Sequence, residues 1–379
     1  MEFTIRRSYF LDRLALVARG VAVHSPMEML NGILIQIKDN MMVLTGSDTN
    51  FTIQTVITPD EENLLEINQT GSLVIEARML LELIRRMTGE MISVNSPDGQ
   101  ALLITGPDGN FELVGKPGSE YVIQPLTRPE NHVQLPTEVL KSIYEHCAYA
   151  TSERNSRQVL QGINLEIADG RIAATATDSI RLARQVVPVE TDAVCRITVP
   201  TGPLGEVTKS LGNVETVDLY CDRRKVQFIF DNTLMQITLY EGNFPDATRI
   251  IPTKYISTLK MRAADLEGML NRTSIYTSAA SSQTGTVVPV QFKCSAEGLG
   301  MRVLSSEVGS CKQVFTDLEY TGEDITVSFN AKLMIEALRG LRSSDQVELD
   351  FTGELRPIKI TNPDDPTLTM VIVPIRSNV

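Results

Sequence analysis

Histidine is scarce in this chain, which has only His24, His132 and His146 among its 379 residues. The three share no ligand spacing, which argues against a histidine-based metal site. The sequence also lacks a P-loop, a G-x-S-x-G nucleophile elbow and a convergent cluster of ionisable groups. We therefore expect no metal, no cofactor, no catalytic residue and no enzymatic activity.

Cysteine is limited to five widely spaced residues that form no C-x-x-C pair. An odd number of thiols fits a disulfide framework poorly, so we interpret them as small buried thiols in a reducing compartment. The N-terminus has no apolar signal-peptide core, and no apolar run is long enough to span a bilayer. These absences predict a cytoplasmic protein without a membrane partner.

Positive charge is in deficit, since 35 Lys and Arg residues face 47 Asp and Glu residues and the net charge is −12. Taken alone, this balance argues against a nucleic-acid-binding protein, because phosphate binding needs a cationic surface. The composition is otherwise ordinary for a soluble globular protein, and the length allows two or three domains.

The chain repeats its own pattern three times. A shift of 130 residues places residues 30–48 on residues 160–178 without a gap, with apolar positions on apolar ones. A fainter third copy follows at a shift of 126 to 129 residues. The insertion that this change of shift requires is assigned to residues 278–285, a Ser/Ala/Gly/Thr stretch that is typical of a loop. Such tandem copies indicate a repeat architecture.

Within a copy, one order of elements occurs twice: a short alternating strand, an amphipathic helix, and further strands joined by turns such as Pro97-Asp-Gly99 and Pro107-Asp-Gly109. The sequence predicts an α+β fold of three tandem similar domains, each of two strand–helix–strands units. The predicted domains are 1–128, 129–253 and 254–379. The six predicted helices span 8–22, 78–87, 136–150, 202–212, 263–276 and 331–342.

A tandem array of this kind continues as a solenoid, remains a string of separate modules, or closes on itself. The six predicted helices carry eleven basic and eight acidic residues, so they are net +3 while the rest of the chain is net −15. A mildly basic layer inside an acidic protein permits DNA in a helix-lined channel, although scattered solvated charges give a similar value. The alternative is a non-catalytic scaffold or adhesin that does not encircle DNA.

Three acidic residues recur at one position of the repeat: Asp48, Asp178 and Glu307. Because they belong to separate domains, they cannot converge on one substrate for acid–base chemistry. We predict instead that they cap turns or strand ends.

The most specific segments of the sequence lie in the second and third copies. They read Thr175-Ala-Thr-Asp-Ser-Ile-Arg-Leu-Ala183, Glu241-Gly-Asn-Phe-Pro-Asp246, Phe351-Thr-Gly-Glu-Leu-Arg-Pro357 and Val371-Ile-Val-Pro-Ile-Arg376. In this order and spacing they resemble the bacterial DNA polymerase III beta subunit, the sliding clamp, over essentially the full chain. The resemblance implies the DNA clamp fold and a ring-shaped head-to-tail homodimer, with helices lining the hole and sheets outside.

The resemblance implies a processivity factor of DNA replication that binds double-stranded DNA topologically, without sequence preference. It also implies a hydrophobic pocket between the second and third domains, where peptides of DNA polymerase, the clamp loader and repair proteins dock. Carried over residue by residue, the pocket comprises Leu160, Thr177, Ser179, Ile180, Arg181, Leu182, Pro245, Arg249, Ile250, Pro357, Val371, Val373, Pro374, Ile375 and Arg376. Considered alone, residues 371–375 would be interpreted as a core edge strand.

Two further surfaces follow from the resemblance. The DNA-facing residues would be His24, Arg78, Arg85, Arg86, Arg154, Arg157, Lys209, Lys332 and Arg339. The dimer contact joins the edge strands of the first and third domains, so that Phe111 and Leu113 meet Ile275 and Tyr276. The alternation of Phe111 and Leu113 fits ordinary core positions equally well.

The sequence departs from the family pattern at two places. Ile180 stands where the family usually has a His beside the pocket, which removes a polar tip and adds apolar surface. Ser25-Pro-Met-Glu-Met-Leu30 replaces an Arg/Thr-x-Pro-Ile-Leu type of stretch, and His24 stands where a DNA-contacting Arg can occur. Both departures fit the hypothesis of a divergent or second clamp in an organism that also has a standard one.

Overall fold

The computed structural model describes residues 1–22, 25–305, 308–341 and 345–376, without the side chains of residues 304 and 305. The chain packs into two compact units. Unit 1 is Met1–Glu138 with Gly202–Leu239, and unit 2 is Val139–Thr201 with Tyr240–Val379. Each unit takes elements from the second repeat, and the division at 1–128, 129–253 and 254–379 stays a prediction.

The described residues form six α-helices. They are α1 Arg7–Ala18, α2 Ala77–Arg86, α3 Thr137–Cys147, α4 Thr201–Ser210, α5 Ala263–Thr284 and α6 Ala331–Leu338. Every helix begins within one residue of its predicted start, and all except α5 end one to four residues before the predicted end. No helix in the described ranges is both long and apolar enough to cross a membrane.

Helix α5 shows that the loop predicted at residues 278–285 is wrong. The helix continues to Thr284 and ends at Gly285, which adopts a left-handed φ of 70°. Ala280 is fully buried, and the hydroxyls of Ser282 and Thr284 each donate a 2.9 Å hydrogen bond to the carbonyl four residues earlier. These hydroxyls therefore bond within the helix and do not interrupt it.

Unit 1 contains one antiparallel sheet of thirteen strands, in the order β10-β15-β16-β17-β4-β3-β2-β6-β9-β8-β7-β1-β5. Its strands are β1 Glu2–Arg6, β2 Gly32–Lys38, β3 Met41–Ser47, β4 Phe51–Ile57, β5 Glu66–Gln69, β6 Gly71–Glu76, β7 Met91–Asn95, β8 Ala101–Gly106, β9 Gly109–Pro117, β10 Asn131–Pro136, β15 Thr216–Cys221, β16 Lys225–Phe230 and β17 Thr233–Thr238. The predicted turns at residues 97–99 and 107–109 are confirmed, because Gly99 and Gly109 have positive φ.

Unit 2 contains a nine-stranded sheet, β14-β11-β12-β13-β26-β25-β24-β18-β22, and a four-stranded sheet, β21-β20-β19-β23. Its strands are β11 Gly162–Ala168, β12 Arg171–Thr177, β13 Arg181–Pro188, β14 Cys195–Pro200, β18 Ser257–Arg262, β19 Val290–Ser295, β20 Gly298–Ser305, β21 Gly309–Phe315, β22 Glu319–Gly322, β23 Ile325–Phe329, β24 Gln346–Phe351, β25 Ile358–Asn362 and β26 Asp365–Ile372. Strand β26 pairs on both sides, so the interpretation of residues 371–375 as an edge strand is wrong.

Consecutive repeats are joined by equivalent strand pairs, each of which we call a seam. In unit 1, β4 of the first repeat pairs antiparallel with β17 of the second. In unit 2, β13 of the second repeat pairs antiparallel with β26 of the third. In the third repeat, the strand equivalent to β4 and β13 is β21. In the first repeat, the strand equivalent to β17 and β26 is β9. Among the described residues, β21 pairs only with β20, and residues 109–114 of β9 pair only with β8.

Asp48 and Asp178 cap equivalent turns, as predicted. In each, one carboxylate oxygen accepts hydrogen bonds of 2.7 to 3.0 Å from the backbone N–H groups two and three residues later. The residue after each aspartate has a left-handed φ, 85° at Thr49 and 83° at Ser179. Glu307, the predicted third member, lies outside the described residues.

The prediction of five buried thiols is right for Cys147, Cys221 and Cys294 and wrong for Cys195 and Cys311, which are half-buried. Cys195 begins β14 and Cys311 lies on β21, and both strands are at sheet edges. Burial raises the pKa of the Cys147 thiol to about 12, so this group stays protonated at neutral pH.

Candidate functional site

An apolar cluster in unit 2 brings three of the predicted pocket residues together. Leu182 of β13 is paired directly with Val371 of β26, so both side chains lie on the same face of the sheet. Leu160, on a short 3-10 helix, packs against them. The buried members of this apolar cluster are Val159, Leu160, Leu182, Phe244, Ala247 and Val371.

Sequence reasoning missed several members of the apolar cluster. Val159, Phe244 and Ala247 are buried in it, while Tyr240 and Ile251 pack against it partly exposed. Phe244 lies within the segment 241–246 that was already singled out, so its large apolar side chain was an available signal. Ala247 and Val159 gave none, because small aliphatic residues are common in any core.

The turn between β12 and β13 places Ile180 two residues before Leu182 of the apolar cluster. The Thr177 hydroxyl donates to the carbonyl of Arg181 at 2.6 Å and accepts from the Ser179 N–H at 3.1 Å. The Val373 N–H donates to the carbonyl of Ile180 at 2.9 Å, which ties the turn to the segment after β26. The Ile180 side chain is 50% exposed and therefore available to a partner.

Arg181 does not join the apolar cluster. Successive strand residues point to opposite faces, so the Arg181 side chain lies on the face opposite to Leu182. There its Nε contacts Asp178 at 2.9 Å, its Nη1 bonds to Glu336, and its guanidinium lies 5.5 Å from the centre of the Tyr149 ring. With its side chain only 13% exposed, Arg181 holds the turn against α6, and its role in a pocket stays a prediction.

The predicted pocket residues between 245 and 250 lie on one segment that is anchored by Phe244 and Ala247. Pro245 is half-buried, Arg249 is exposed and pairs with Asp246 at 2.7 Å, and Ile250 is 41% exposed. A hydrogen bond from the Thr248 hydroxyl, aided by Arg249, lowers the pKa of Asp246 below its usual range, which keeps this carboxylate charged.

The remaining pocket candidates lie at the chain's C-terminal end and before β25. Pro357, Val373, Pro374 and Ile375 are half-buried and Arg376 is exposed. The Ile375 N–H donates to the carbonyl of Ser328 at 2.7 Å, which holds this tail on unit 2. These residues do not belong to the buried apolar cluster, and their role in a pocket stays a prediction.

All the described residues that were predicted to face DNA are exposed. Arg78, Arg85 and Arg86 share helix α2, where Arg85 and Arg86 both pair with Glu82. Lys209 lies in the last turn of α4, Lys332 lies in the first turn of α6, and Arg339 follows α6, while Arg154 and Arg157 lie in the loop after α3. His24 lies outside the described residues.

The charge of the helices is lower than predicted. Within their observed bounds they carry nine basic and eight acidic residues, a net charge of +1. The predicted value of +3 counted Arg19 and Arg339, which follow the helix ends, and Arg342, which is outside the described residues, and it left out Arg7, which begins α1. Helix charge alone therefore says little about DNA.

A groove runs between α2 and β9, which we call the α2–β9 groove. Its volume is about 1010 Å³, and it is lined by Arg78, Met79, Glu82, Leu83, Arg86, Met87, Asp108, Asn110, Phe111, Glu112 and Leu113. Phe111 and Leu113 are half-buried in it, so their interpretation as ordinary core positions is wrong. Met79 is 59% exposed at its edge.

Ile275 and Tyr276 lie on helix α5 and not on an edge strand. Ile275 is 68% exposed and Tyr276 is half-buried. Helix α5 packs beside edge strand β21, where Gln313 accepts a 2.7 Å hydrogen bond from Arg272. The residues predicted to form the dimer contact in the third domain therefore lie on a helix, next to the free edge of strand β21.

Comparison with known proteins gives matches along the whole chain. Family models of the DNA polymerase III beta subunit match its N-terminal domain at residues 1–124, its central domain at 134–246 and its C-terminal domain at 248–376. The chain is 30% identical to the beta sliding clamp of Staphylococcus epidermidis and 28% identical to that of Staphylococcus aureus, with 100% of each chain covered.

Solved structures give the same result. The DNA polymerase sliding clamp from Bacillus subtilis is 26% identical with a TM-score of 0.94, over 100% of this chain and 99% of that one. The beta subunit from the DNA polymerase of Streptococcus pyogenes is 24% identical with a TM-score of 0.93, over 100% of both. The chain thus has the three-domain DNA clamp fold, with mixed helices and strands, as the sequence predicted.

Proposed function

Because this chain belongs to the family of bacterial DNA polymerase III beta subunits, the sliding clamps, we propose that it is a processivity factor of DNA replication. It forms a ring-shaped homodimer that encircles double-stranded DNA and tethers DNA polymerase, the clamp loader and repair proteins. It catalyses no reaction and acts in the cytoplasm. The observation that carries this proposal is the match over the whole length of chain and relatives alike.

The seams support the proposed dimer. Two of the three equivalent seams are filled within the chain, by β4 with β17 and by β13 with β26. The third seam would require the free edge of β21 to pair with the free edge of β9. An unpaired edge is a template for another strand, and a head-to-tail contact between copies generates a ring when the rotation closes. A second copy thus supplies the missing pairing at both ends.

The side chains beside the free edges fit the same contact. The α2–β9 groove presents Phe111, Leu113 and the exposed Met79. Next to β21, helix α5 presents Ile275 and Tyr276. We expect the α5 side chains of one copy to enter the α2–β9 groove of the other. Apolar anchors in a pocket next to a strand pairing give the contact both affinity and register.

DNA binding by a ring does not need a strongly basic surface. A closed ring is retained by topology, so a helix layer of net charge +1 lets DNA pass without holding it in place. The acidic remainder of the chain repels DNA from other surfaces. The proposed contacts with the backbone are Arg78, Arg85, Arg86, Arg154, Arg157, Lys209, Lys332, Arg339 and His24.

The apolar cluster is the proposed docking site for partner peptides. Ile180 and Ile250 lie two residues from Leu182 and three residues from Ala247 in the chain, and their half-exposed side chains are the proposed rim of this site. One or two apolar side chains of a peptide can cover these surfaces and remove them from water. Ile180 in place of a polar His would favour apolar residues in the partner.

Retention on DNA tests the encirclement. The chain is loaded by its clamp loader and ATP onto nicked circular plasmid, transferred to high salt, and then treated with a restriction enzyme. We expect it to stay on the circle and to leave after linearisation, because a threaded ring is lost only over DNA ends. A protein held by electrostatic attraction alone would dissociate from both forms as salt rises. Loss from the circle at high salt, or equal retention on both forms, would refute encirclement and favour a scaffold.

A further inference from the structure

A polar cleft continues the apolar cluster along the sheet of unit 2. Its volume is about 380 Å³, and it lies between the sheet and the segment 244–248. Phe244 and Ala247 contribute to both the apolar cluster and the polar cleft. The other lining residues are Asn164, Glu166, Thr175, Arg184, Arg196, Pro245, Asp246 and Thr248.

Both carboxylates of the polar cleft are already neutralised. Glu166 pairs with Arg196 at 2.9 Å. Asp246 pairs with Arg249, which stands on the same exposed segment, at 2.7 Å. Neither carboxylate pairs with Arg184.

Arg196 is also occupied by contacts within the protein. Its Nε lies 3.4 Å from the side-chain oxygen of Asn164, and its Nη2 donates to the carbonyl of Phe244 at 3.3 Å. With the ion pair to Glu166, these bonds hold the segment 244–248 against β14. Arg196 therefore builds the wall of the polar cleft.

Arg184 differs from Arg196. It is half-buried, and its Nη1 donates to the Thr175 hydroxyl at 3.0 Å. Within the described ranges, no carboxylate forms an ion pair with it. A guanidinium has five N–H donors in a planar fork that matches a carboxylate. The polar cleft thus presents a cation whose complementary anion is not supplied by its own lining.

The spacing relates Arg184 to the apolar cluster. Leu182 and Arg184 are two residues apart on β13, so they lie on one face and are separated by roughly 7 Å along the strand. Their partners on β26 are Val371 and Thr369. Two residues of an extended peptide cover the same distance.

We propose that the polar cleft binds an acidic side chain of the docked peptide, placed two residues from the apolar anchor that covers Leu182 and Val371, with Arg184 as its ligand. This assignment rests on the proposed docking function and adds a charge requirement to it. A carboxylate there forms a charge-assisted hydrogen bond with a partly desolvated guanidinium, which is stronger than a neutral one. The site therefore selects partners by charge as well as by apolar shape.

Fluorescence anisotropy with labelled, C-terminally amidated peptides tests the assignment. The parent is a clamp-binding segment of a replicative DNA polymerase, with Asp or Asn placed two residues before or after its apolar anchor. The proteins are the wild type, Arg184→Gln, and the control Arg171→Gln, which changes an exposed arginine of strand β12 in the same sheet. Thermal unfolding confirms that each variant is folded.

We expect the wild type and Arg171→Gln to bind one Asp peptide about ten-fold more tightly than its Asn partner, a difference of about 1.4 kcal/mol. Arg184→Gln should bind both peptides as weakly as the wild type binds the Asn peptide. An Asp preference that survives in Arg184→Gln, or is absent from the wild type at both placements, would overturn the assignment while leaving docking intact. Failure of the wild type to bind any of the peptides would overturn both proposals.

Discussion

At the scale of single residues, the proposed rim of the apolar cluster consists of two isoleucines that are held by backbone contacts. Ile180 follows a left-handed Ser179 and accepts the Val373 N–H through its carbonyl. Ile250 ends a short 3-10 helix whose first residue, Ala247, is buried in the cluster. Backbone contacts and neighbouring buried residues thus position both isoleucines. Changing either side chain should therefore alter binding more than folding.

Replacing Ile250 with Asp tests this separation. We expect at least a ten-fold loss of affinity for a peptide with apolar anchors, because a buried isoleucine contact is worth about 1.5 to 3 kcal/mol. The melting temperature should hardly change, since the side chain is 41% exposed. Anisotropy titration measures the first effect and calorimetry the second.

Val194→Asp is the matched control, since Val194 is an exposed valine of unit 2 outside the apolar cluster. It should bind the peptide like the wild type. If Ile250→Asp and Val194→Asp bind equally well, Ile250 has no part in docking.

The family resemblance, and not residue patterns alone, predicted part of the candidate site. Leu160, Leu182 and Val371 were carried over from it and meet in the apolar cluster. Arg181 was carried over with them, but strand alternation turns it to the opposite face. Arg184 was not named, because its isolation from carboxylates depends on contacts between β12, β13 and the segment 244–248, which no local pattern encodes.

At the scale of elements, α1 lies unusually close to strand β3. A Cβ on Gly46 would stand 2.1 Å from the carbonyl oxygen of Val17, which is backbone and cannot rotate away. The glycine therefore sets how closely the helix packs on the sheet. In the second repeat the same position is Ala176, so the two helices cannot pack identically.

Gly46→Ala should destabilise unit 1 by about 3 kcal/mol, at the upper end of what overpacking costs. Gly202→Ala is the control, because nothing lies within 4 Å of a Cβ at that position in α4. There the substitution should stabilise by roughly 0.5 to 1 kcal/mol, since alanine favours a helix over glycine. Urea unfolding measures both changes, and similar midpoints for the two variants would contradict the close approach.

Element starts were predicted more accurately than element ends. Each helix begins where an alternating strand changes to helical spacing, a signal that the sequence carries directly. Helix α5 ends eight residues later than predicted, because buried Ala280 and the internally bonded hydroxyls of Ser282 and Thr284 continue it. That outcome depends on what α5 packs against, which local composition does not state.

At the scale of the whole molecule, the proposed dimer makes a testable demand on helix α5. Ile275→Asp places a charge where an apolar side chain should enter the α2–β9 groove of the other copy. We expect the variant to be monomeric at micromolar concentration while the wild type is dimeric, because an unpaired buried charge opposes association. Light scattering after gel filtration measures the mass.

The control is Val122→Asp, which changes a valine of equal exposure in unit 1. This variant should remain dimeric. A dimeric Ile275→Asp, or a wild type that is monomeric at high concentration, would contradict the seam between copies.

The threefold repeat could be found from the sequence because apolar periodicity survives substitution. The proposed DNA channel could not, since the helices have a net charge of only +1 and their arrangement depends on how the repeats associate. The free edges of β9 and β21 become visible only when every strand has been given its neighbours. Sequence patterns specify the modules, and pairing between distant strands specifies how they assemble.

The two filled seams have a consequence for how the proposed ring would come apart. Each joins segments of one polypeptide, so the effective concentration of its partners is fixed by the connecting chain. The seam between copies has no such tether and obeys mass action. Dilution should therefore release whole three-repeat protomers with their internal strand pairings intact. A protein that opens the ring would have only the two interfaces between copies to act on.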